Sequence, residues 1–485
     1  MKYWRSLLLV AASAGTYGSA LAATNGLDGS FGSGGIALLG PTPSSALKFN
    51  LIRAISADDQ GRVLIGGIFF DTSDPSGAHD LAAVGRLLSS GNWDVSFGDH
   101  GIYVLPYGAT AAPYGGSIDN IAALPGGELL LSGTSFQQYF GRIGPKNSCI
   151  LLVKLTATGA LDPTFATDHS GTECFDFAPQ GDVWIQYHPN TIAARADGSF
   201  YASTFSTNLF VDPSTILGAV ARFDAFGVLD PGFGNGGIVE SEISFFQLNL
   251  MPSGELLGAE AASQVGATMI TQTGALDLNY GTEGVAFFNP QQGQPGSQPA
   301  TIRIDPQQRL VAGMNFFNAG TGYSYGLVRL DALGQPDATF NGSSQQPGAP
   351  GVAMPYVSGD GDNDFLIDVE PLSDGHILVV GGSGFAAGGD GVSNVAFLRL
   401  NSDSSYDTSF GDTAHPGWSS INIGGAADSV AYTQAASLDT SSRVITGINV
   451  TDANGHYCAA VLRIVPDRLL EARFDMPPAM PTCPQ

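Results

Sequence analysis

Residues 229–237 read LDPGFGNGG, and close relatives of that phrase stand at 27–35 (LDGSFGSGG), 93–101 (WDVSFGDHG) and 406–413 (YDTSFGDT). Aligned on the acid, the series runs Leu27-Asp28-x-x-Phe31, Trp93-Asp94-x-x-Phe97, Leu161-Asp162-x-x-Phe165, Leu229-Asp230-x-x-Phe233, Leu276-Asp277-x-x-Tyr280, Pro336-Asp337-x-x-Phe340 and Tyr406-Asp407-x-x-Phe410. A worn eighth copy is Leu470-Glu471-x-x-Phe474. Successive acids are 66, 68, 68, 47, 60, 70 and 64 residues apart. Eight markers therefore bracket seven units, and a period of this size is the mark of a repeat architecture.

Each unit carries a second phrase, two short apolar runs around a turn: AISADDQGRVLIGG, IAALPGGELLLSG, IAARADGSFYAS, LNLMPSGELLGA, IRIDPQQRLVAG, VEPLSDGHILVVGG and ASLDTSSRVITG. Asp-Gly, Gly-Gly and Ser-Gly between alternating apolar residues are hairpin signals. A third run follows in most units (LAAVGRL, ILLVKL, AVARF, GLVRL, AFLRL, AVLRI), and a fourth comes directly after the marker (GIALL, GIYVL, GIVES, GVAFF, GVAMP). Four short strands per unit, seven times over and without helical periodicity, predict an all-β, seven-bladed β-propeller of antiparallel four-stranded blades. A β-helix needs shorter and more regular coils, and separate sandwich domains would not share one marker. The predicted organisation is a leader at 1–22, a propeller of 47–70-residue repeats at 23–475, and a tail at 476–485.

The Leu-Asp-x-x-Phe-Gly-x-x-Gly-Val phrase, an Arg-Leu-x-x-x-Gly strand before it and a PDG-type hairpin before that resemble the delta-60 repeat family of bacterial propeller-type proteins. The resemblance covers nearly the whole chain beyond the leader. It implies the fold and an exported bacterial context, and it brings no shared catalytic residues.

Eight residues before the marker acid stand Arg86, Lys154, Arg222, Met269, Arg329, Arg399 and Arg463. A base fixed at one position, in a chain with only 19 Lys and Arg, reads as structure repeated blade by blade. The expectation is that it pairs with a marker carboxylate (Asp28, Asp94, Asp162, Asp230, Asp277, Asp337, Asp407) or caps carbonyls of the marker turn; arginine suits the pairing because its planar guanidinium donates two parallel hydrogen bonds. The marker aromatic should wedge between blades, and Gly234 and Gly237 should supply positive φ in the turn. Unit four has Met269 in place of the base and is the shortest, so something else must support the ring there. Closure of the ring falls to the N-terminal LDGSFGSGGIALL and the C-terminal LLEARFD.

The chain opens MKYWRSLLLVAASAGTYGSALA: a basic start at Lys2 and Arg5, an apolar run over Leu7–Ala14 and a small-residue Ala20-Leu21-Ala22 site. That layout predicts an export leader cut near Ala23, hence a secreted, periplasmic or cell-envelope location in a bacterium. Its apolar run is too short to span a bilayer. The formal charge is −25, which disfavours nucleic acid and anionic membrane surfaces as partners. Four cysteines in an exported chain predict two disulfides. Of the three possible pairings, the local ones Cys149–Cys174 and Cys458–Cys483 are favoured, each contributing about 3 kcal/mol. The second would staple the tail MPPAMPTCPQ.

Chemistry is harder to find. The seven histidines show no two-ligand spacing, and neither a Gly-x-Ser-x-Gly elbow nor a P-loop occurs. Asp360, Asp362 and Asp364 in SGDGDNDF alternate as calcium ligands do, yet Phe365 holds the glycine position and Pro371 the terminal Glu position. Calcium is the one cofactor they raise. Asp71, Asp74 and Asp80 form a weaker acidic loop, and no acid pair stands out for glycoside hydrolysis. Sequons at Asn341 and Asn449 occur at the frequency chance gives. The reading that follows is a monomeric, non-catalytic binding module for a protein or glycan, using variable loops near 68–80, 134–149, 204–217, 315–325 and 384–394. A carbohydrate hydrolase or lyase with channel carboxylates and a structural envelope component are the alternatives.

Overall fold

The structure is a computed structural model that describes residues 26–40, 47–71, 80–105, 116–135, 150–175, 177, 188–208, 212–241, 243, 245–261, 264–290, 298–318, 322–343, 347–355, 357, 362–386, 394–411, 416–421, 435–451 and 457–465. These residues form β-strands and turns, with no helix among them. After β1 (Ile36–Leu39), blade 1 is β2 (Leu47–Ala57), β3 (Val63–Asp71), β4 (Asp80–Leu87) and β5 (Ile102–Val104). Blade 2 is β6 (Gly116–Ala123), β7 (Leu129–Ser135), β8 (Ile150–Leu155) and β9 (Thr172–Phe175). Blade 3 is β10 (His188–Ala194), β11 (Phe200–Asn208), β12 (Asp212–Phe223) and β13 (Ile238–Ser241). Blade 4 is β14 (Gln247–Leu250), β15 (Leu256–Ala261), β16 (Val265–Ile270) and β17 (Val285–Phe288). Blade 5 is β18 (Gln298–Ile304), β19 (Leu310–Asn318), β20 (Gly322–Leu330) and β21 (Val352–Ala353). Blade 6 is β22 (Asp362–Pro371), β23 (Ile377–Ala386), β24 (Asn394–Leu400) and β25 (Trp418–Ile421). Blade 7 takes β26 (Ala436–Leu438), β27 (Val444–Thr451) and β28 (Tyr457–Ile464), and β1 completes it as its outer strand.

The first strand of every blade contacts the first strand of the next, and β26 contacts β2, so the seven first strands form the closed inner ring of a seven-bladed β-propeller. β1 pairs antiparallel with β28, Ile36 opposite Leu462, which joins the chain's beginning to its last blade. The marker at 27–35 thereby serves blade 7 rather than opening blade 1. The tail at 466–485 and the eighth marker lie outside the described residues.

Each seam between blades has its own apolar cluster. Leu64, Val84 and Phe97 of blade 1 meet Ile118, Leu131 and Val153 of blade 2, and Met314 and Val328 of blade 5 meet Met269 and Tyr280 of blade 4. This is why third strands such as β8, β16 and β24 read as near-continuous apolar runs, covered on both faces, whereas outer strands such as β9 and β13 are partly exposed. The marker aromatics Phe31, Phe97, Phe165, Phe233, Phe340 and Phe410 are wholly buried.

The inner hairpins turn on a shared hydrogen bond, such as Gly61 N–H to Asp58 O at 3.0 Å. The residue after the tight corner has positive φ: glycine in five blades, but Gln308 and Ser442 in blades 5 and 7. There Asp305 and Asp439 fasten the turn by accepting two backbone N–H bonds each, which supports the strained corner without glycine. In the marker turn, Gly234 has φ 54 and a Cβ there would lie 2.3 Å from Ile238 O, whereas at Gly236, φ 63, it would meet nothing within 4 Å. Gly236→Ala is therefore expected to cost about 1 kcal/mol, the left-handed backbone term alone. Gly234→Ala should cost clearly more, because backbone must move. Equal losses in urea unfolding would contradict this reading.

Two of the predicted variable loops are mostly strand. Residues 204–208 and 212–217 belong to the paired strands β11 and β12, with Phe205 opposite Gly218 and Thr207 opposite Ile216. Residues 315–318 and 322–325 do the same in β19 and β20, with Asn318 opposite Gly322. In blade 5 the cross-strand pair Phe317–Tyr323, ring centroids 5.1 Å apart, supports pairing where length variation alone suggested loop.

Candidate functional site

The marker turn becomes a joint between blades. Arg86 Nε donates to Asp94 Oδ2 at 2.8 Å, Arg329 Nε to Asp337 at 2.8 Å, Arg399 Nε to Asp407 at 2.6 Å, and Arg222 Nε to Asp230 at 2.9 Å. Lys154 Nζ lies 3.0 Å from Asp162 Oδ2. Each of these arginines also lies over its marker ring, as Arg86 does above Phe97 at 4.4 Å. Arg463 pairs with Asp28 across the ring seam, Nε to Oδ2 at 2.9 Å, and stacks on Phe31. Counting along the chain assigns Arg463 to Glu471; the β1–β28 pairing gives it Asp28 instead.

From four joints a guanidinium Nη1 reaches a backbone carbonyl in the following blade: Ala157, Gln272, Ser402 and Ser89. Among the marker acids, burial tends to raise Asp28, Asp94, Asp337 and Asp407. Hydrogen bonds from Ser30, Ser96, Thr339 and Ser409, with the adjacent arginines, outweigh it and hold these carboxyls below their ordinary range.

A second cation braces three joints and was not singled out from the sequence. Arg62, Arg309 and Arg443, four residues after Asp58, Asp305 and Asp439, bind those acids and also approach the marker acids Asp94, Asp337 and Asp28. Its signal is the Asp-x-x-x-Arg spacing in DDQGR, DPQQR and DTSSR. It is present in only three units.

Among the polar features outside the joints, which include Arg53–Asp119 between blades 1 and 2, one cluster lies where blade 5 meets blade 6. Two residues before each inner turn, the seven first strands carry Ser56, Ala122, Ala193, Asn249, Arg303, Glu370 and Ser437. Blades 5 and 6 thus place an arginine and a glutamate at one register position where most blades are small. Arg303 Nη2 donates to Asp368 Oδ2 at 2.6 Å and lies 3.7 Å from Glu370 Oε1. Its Nη1 donates to Thr301 Oγ1 at 2.8 Å, and Val369 N–H donates to Asp368 Oδ1. Burial and the Asp368 charge push Glu370 up to about 8 against the pull of Arg303.

Toward the end of the blades where β19 and β20 join, Phe317, Tyr323 and Phe365 form a partly exposed aromatic ladder. Ring centroids are 5.1 Å apart at both steps. Its geometry is fixed from beneath. Asn315 accepts from Leu366 N–H at 2.6 Å and donates to Leu366 O at 3.3 Å, while Asn363 Oδ1 accepts from Tyr323 N–H at 2.8 Å. Tyr325 O–H donates to Gly382 O at 3.2 Å.

The other sequence candidates fall apart from this site. Asp360 lies outside the described residues, as does the side chain of Asp362; Asp364 is buried, and from Asp362 onward the chain is extended β22 rather than a calcium-type loop. Among the described residues no three His, Cys, Asp or Glu side chains converge to hold a metal. Asp74 and the side chains of Asp71 and Asp80 are outside the described set. Asn341 is buried and donates to Val352 O at 2.8 Å, so its sequon is not accessible. Cys174 is disulfide-bonded; Cys149, Cys483 and the side chain of Cys458 lie outside the described residues.

Fold and joints together define a seven-bladed β-propeller. A family model described as a domain of unknown function (DUF5122) beta-propeller matches residues 372–410, which span most of blade 6 from its inner turn to its marker. No curated protein matches. Among solved structures, a protein of unknown function from Bacteroides caccae is 13% identical, covering 66% of this chain and 87% of its own, at a TM-score of 0.33. An ulvan lyase is 9% identical over 91% of this chain and 94% of its own, at 0.34. The arabinanase of Bacillus subtilis is 12% identical over 71% and 92%, at 0.27. Likenesses this distant carry no argument about activity.

Proposed function

We propose that the chain is an exported, non-catalytic binding module of the delta-60 repeat kind, which takes a glycan or a protein side chain on the aromatic ladder of blades 5 and 6. The observation that carries this reading is the ladder itself. Phe317, Tyr323 and Phe365 come from two blades, are partly exposed, and are locked by Asn315 and Asn363. Neighbouring tilted rings held at a solvent edge offer large contact area at small entropic cost, as binding hot spots require. The repeated acids and arginines, by contrast, are engaged in holding blades together. Export rests on the leader and the cysteines.

The test is a glycan array and a pull-down with the leaderless chain. A retained ligand should lose affinity on the order of tenfold in Tyr323→Ala, with melting changed by no more than about a few degrees. A ligand that binds Tyr323→Ala as well as the wild type would move the site elsewhere.

One observation favours a second reading, a carbohydrate hydrolase or lyase. Glu370 and Asp368 lie beside one arginine, and burial pushes both carboxyls up, Glu370 to about 8, the direction a general acid needs. Polysaccharide cleavage that is lost in Glu370→Gln would establish it over the first.

A further inference from the structure

Blade 4 departs from the joint that the other blades share. Met269 stands where they have arginine or lysine, and is buried. The marker turn nevertheless keeps its form. Asp277 N–H donates to Met269 O at 2.8 Å, and Asn279 donates from N and Nδ2 to Asp277 Oδ1 at 3.0 and 2.9 Å. Asp277 Oδ2, the atom that receives the base in the neighbouring blades, accepts no hydrogen bond among the described residues. Tyr280 replaces the marker phenylalanine, is only 3% exposed, and has a buried hydroxyl without a partner among the described residues.

A cavity of about 90 Å³ occupies the place of the missing base, lined by Met269, Asp277, Tyr280, Glu255, Gln308 and Ala332 among others. Ala332 holds the turn position from which Ala157, Gln272, Ser402 and Ser89 offer their carbonyls to a guanidinium at other seams. Glu255 holds the position that carries the bracing arginine in blades 1, 5 and 7. Both positions that bring positive charge to a joint are therefore without it in blade 4, and one has become an acid.

Blade 2 shows what such an arrangement holds. Its corresponding acids, Glu128 and Asp162, clasp the Lys154 ammonium at 3.1 and 3.0 Å. Blade 4 keeps both acids, as Glu255 and Asp277, and lacks the lysine. We propose that the blade 4 cavity binds a primary ammonium group from outside the chain, seated between Glu255 and Asp277 against Tyr280, as Lys154 is seated in blade 2. Its stem would leave past Leu333, Gln308 and Asn279, which are exposed at the mouth. The Tyr280 hydroxyl would gain a partner, removing the cost of a buried unpaired polar group.

Either a free alkylamine or a lysine side chain of another protein could supply the ammonium. Titration calorimetry on the full-length chain at neutral pH, with propylamine in one arm and a capped Gly-Lys-Gly peptide in the other, distinguishes them. Binding by propylamine alone indicates a small metabolite; binding by both, or by the peptide alone, indicates a lysine-bearing partner. Asp277→Asn should weaken the bound probe by about tenfold or more, the usual effect of losing a charge-assisted hydrogen bond. Glu255→Gln, at a partly exposed side chain, repeats the test should Asp277→Asn fold poorly. Met269→Lys should melt higher than the wild type and bind neither probe, because the chain's own ammonium fills the site. Absence of binding to the wild type, equal binding of propanol, or wild-type affinity in Met269→Lys would overturn the proposal.

Discussion

Arg463→Ala is expected to destabilise the chain by about 3–5 kcal/mol, the cost of leaving one member of a buried ion pair without its partner. Arg463 is 1% exposed and Asp28 is 6% exposed. The guanidinium does four things at once: it pairs with Asp28, donates to Ser89 O of blade 1 at 2.7 Å, donates to Ser30 Oγ at 3.2 Å, and covers Phe31. The contacts to Asp28, Ser30 and Phe31 join β28 to the segment before β1 within blade 7, Asp28 lying 435 positions away, and the bond to Ser89 ties that blade to blade 1. Arg222→Ala supplies the contrast. Its side chain and that of Asp230 are 19% and 38% exposed, so water screens the pair and replaces it when broken. There the loss should be about 1 kcal/mol or less.

Urea unfolding of Arg463→Ala, Asp28→Ala and the double variant measures the coupling directly. Additive losses would show that the two side chains act independently and would remove the joint from the account. The pH dependence has a definite sign. Asp28 is held below its ordinary range when folded, so its contribution is complete above the unfolded carboxylate value near 4 and disappears as pH falls through the folded value. The difference between wild type and Asp28→Ala should therefore shrink in acid.

The joint was legible because the sequence repeats it. Seven copies of one phrase separate the invariant Asp and aromatic from chance, and a base eight residues upstream is visible only when the copies are aligned. Which marker belongs to which blade was not legible at the seam. A linear count gives Arg463 a neighbour at 471, while strand β1 crosses the ring to provide Asp28. The bracing arginines 62, 309 and 443 were hidden because three copies in seven do not make a pattern.

The site between blades 5 and 6 was hidden for the opposite reason. Arg303 and Glu370 share a register position whose other members are Ser, Ala or Asn, and Asp368 stands just before its hairpin phrase, so alignment discards all three as variation. Asp368 and Glu370 are two apart in a strand, hence on one face, and could have been flagged as such. Their meeting with Arg303 depends on adjacency of two inner strands whose markers are 70 residues apart. Phe317 and Tyr323 of the ladder fall in the variable loop read at 315–325, and Phe365 in the acidic SGDGDNDF stretch, although Phe316, Phe317, Tyr323 and Tyr325 carry strong strand preference around a short AGTG connection.

Glu370→Gln is expected to abolish a loss of stability that the wild type suffers between about pH 4 and pH 8. A carboxyl whose folded pKa lies above its unfolded one favours the folded state while protonated. Its contribution is complete below the ordinary value of 4.5 and is lost as pH rises through about 8. Each pH unit in that window removes up to about 1.4 kcal/mol, for a total on the order of a few kcal/mol. Arg303 sets the limit. It already compensates Asp368 at 2.6 Å, and the 3.7 Å separation from Glu370 leaves the second charge poorly paired in a buried place. Asp368, raised by burial against the same arginine, titrates together with Glu370, so the measured transition belongs to the pair. Glutamine keeps the shape and removes the ionisation. Melting curves from pH 5 to pH 9 should accordingly show the wild type falling away from Glu370→Gln on the alkaline side. Parallel curves would mean that Glu370 is ionised throughout, and would withdraw the proton on which the hydrolase or lyase reading depends.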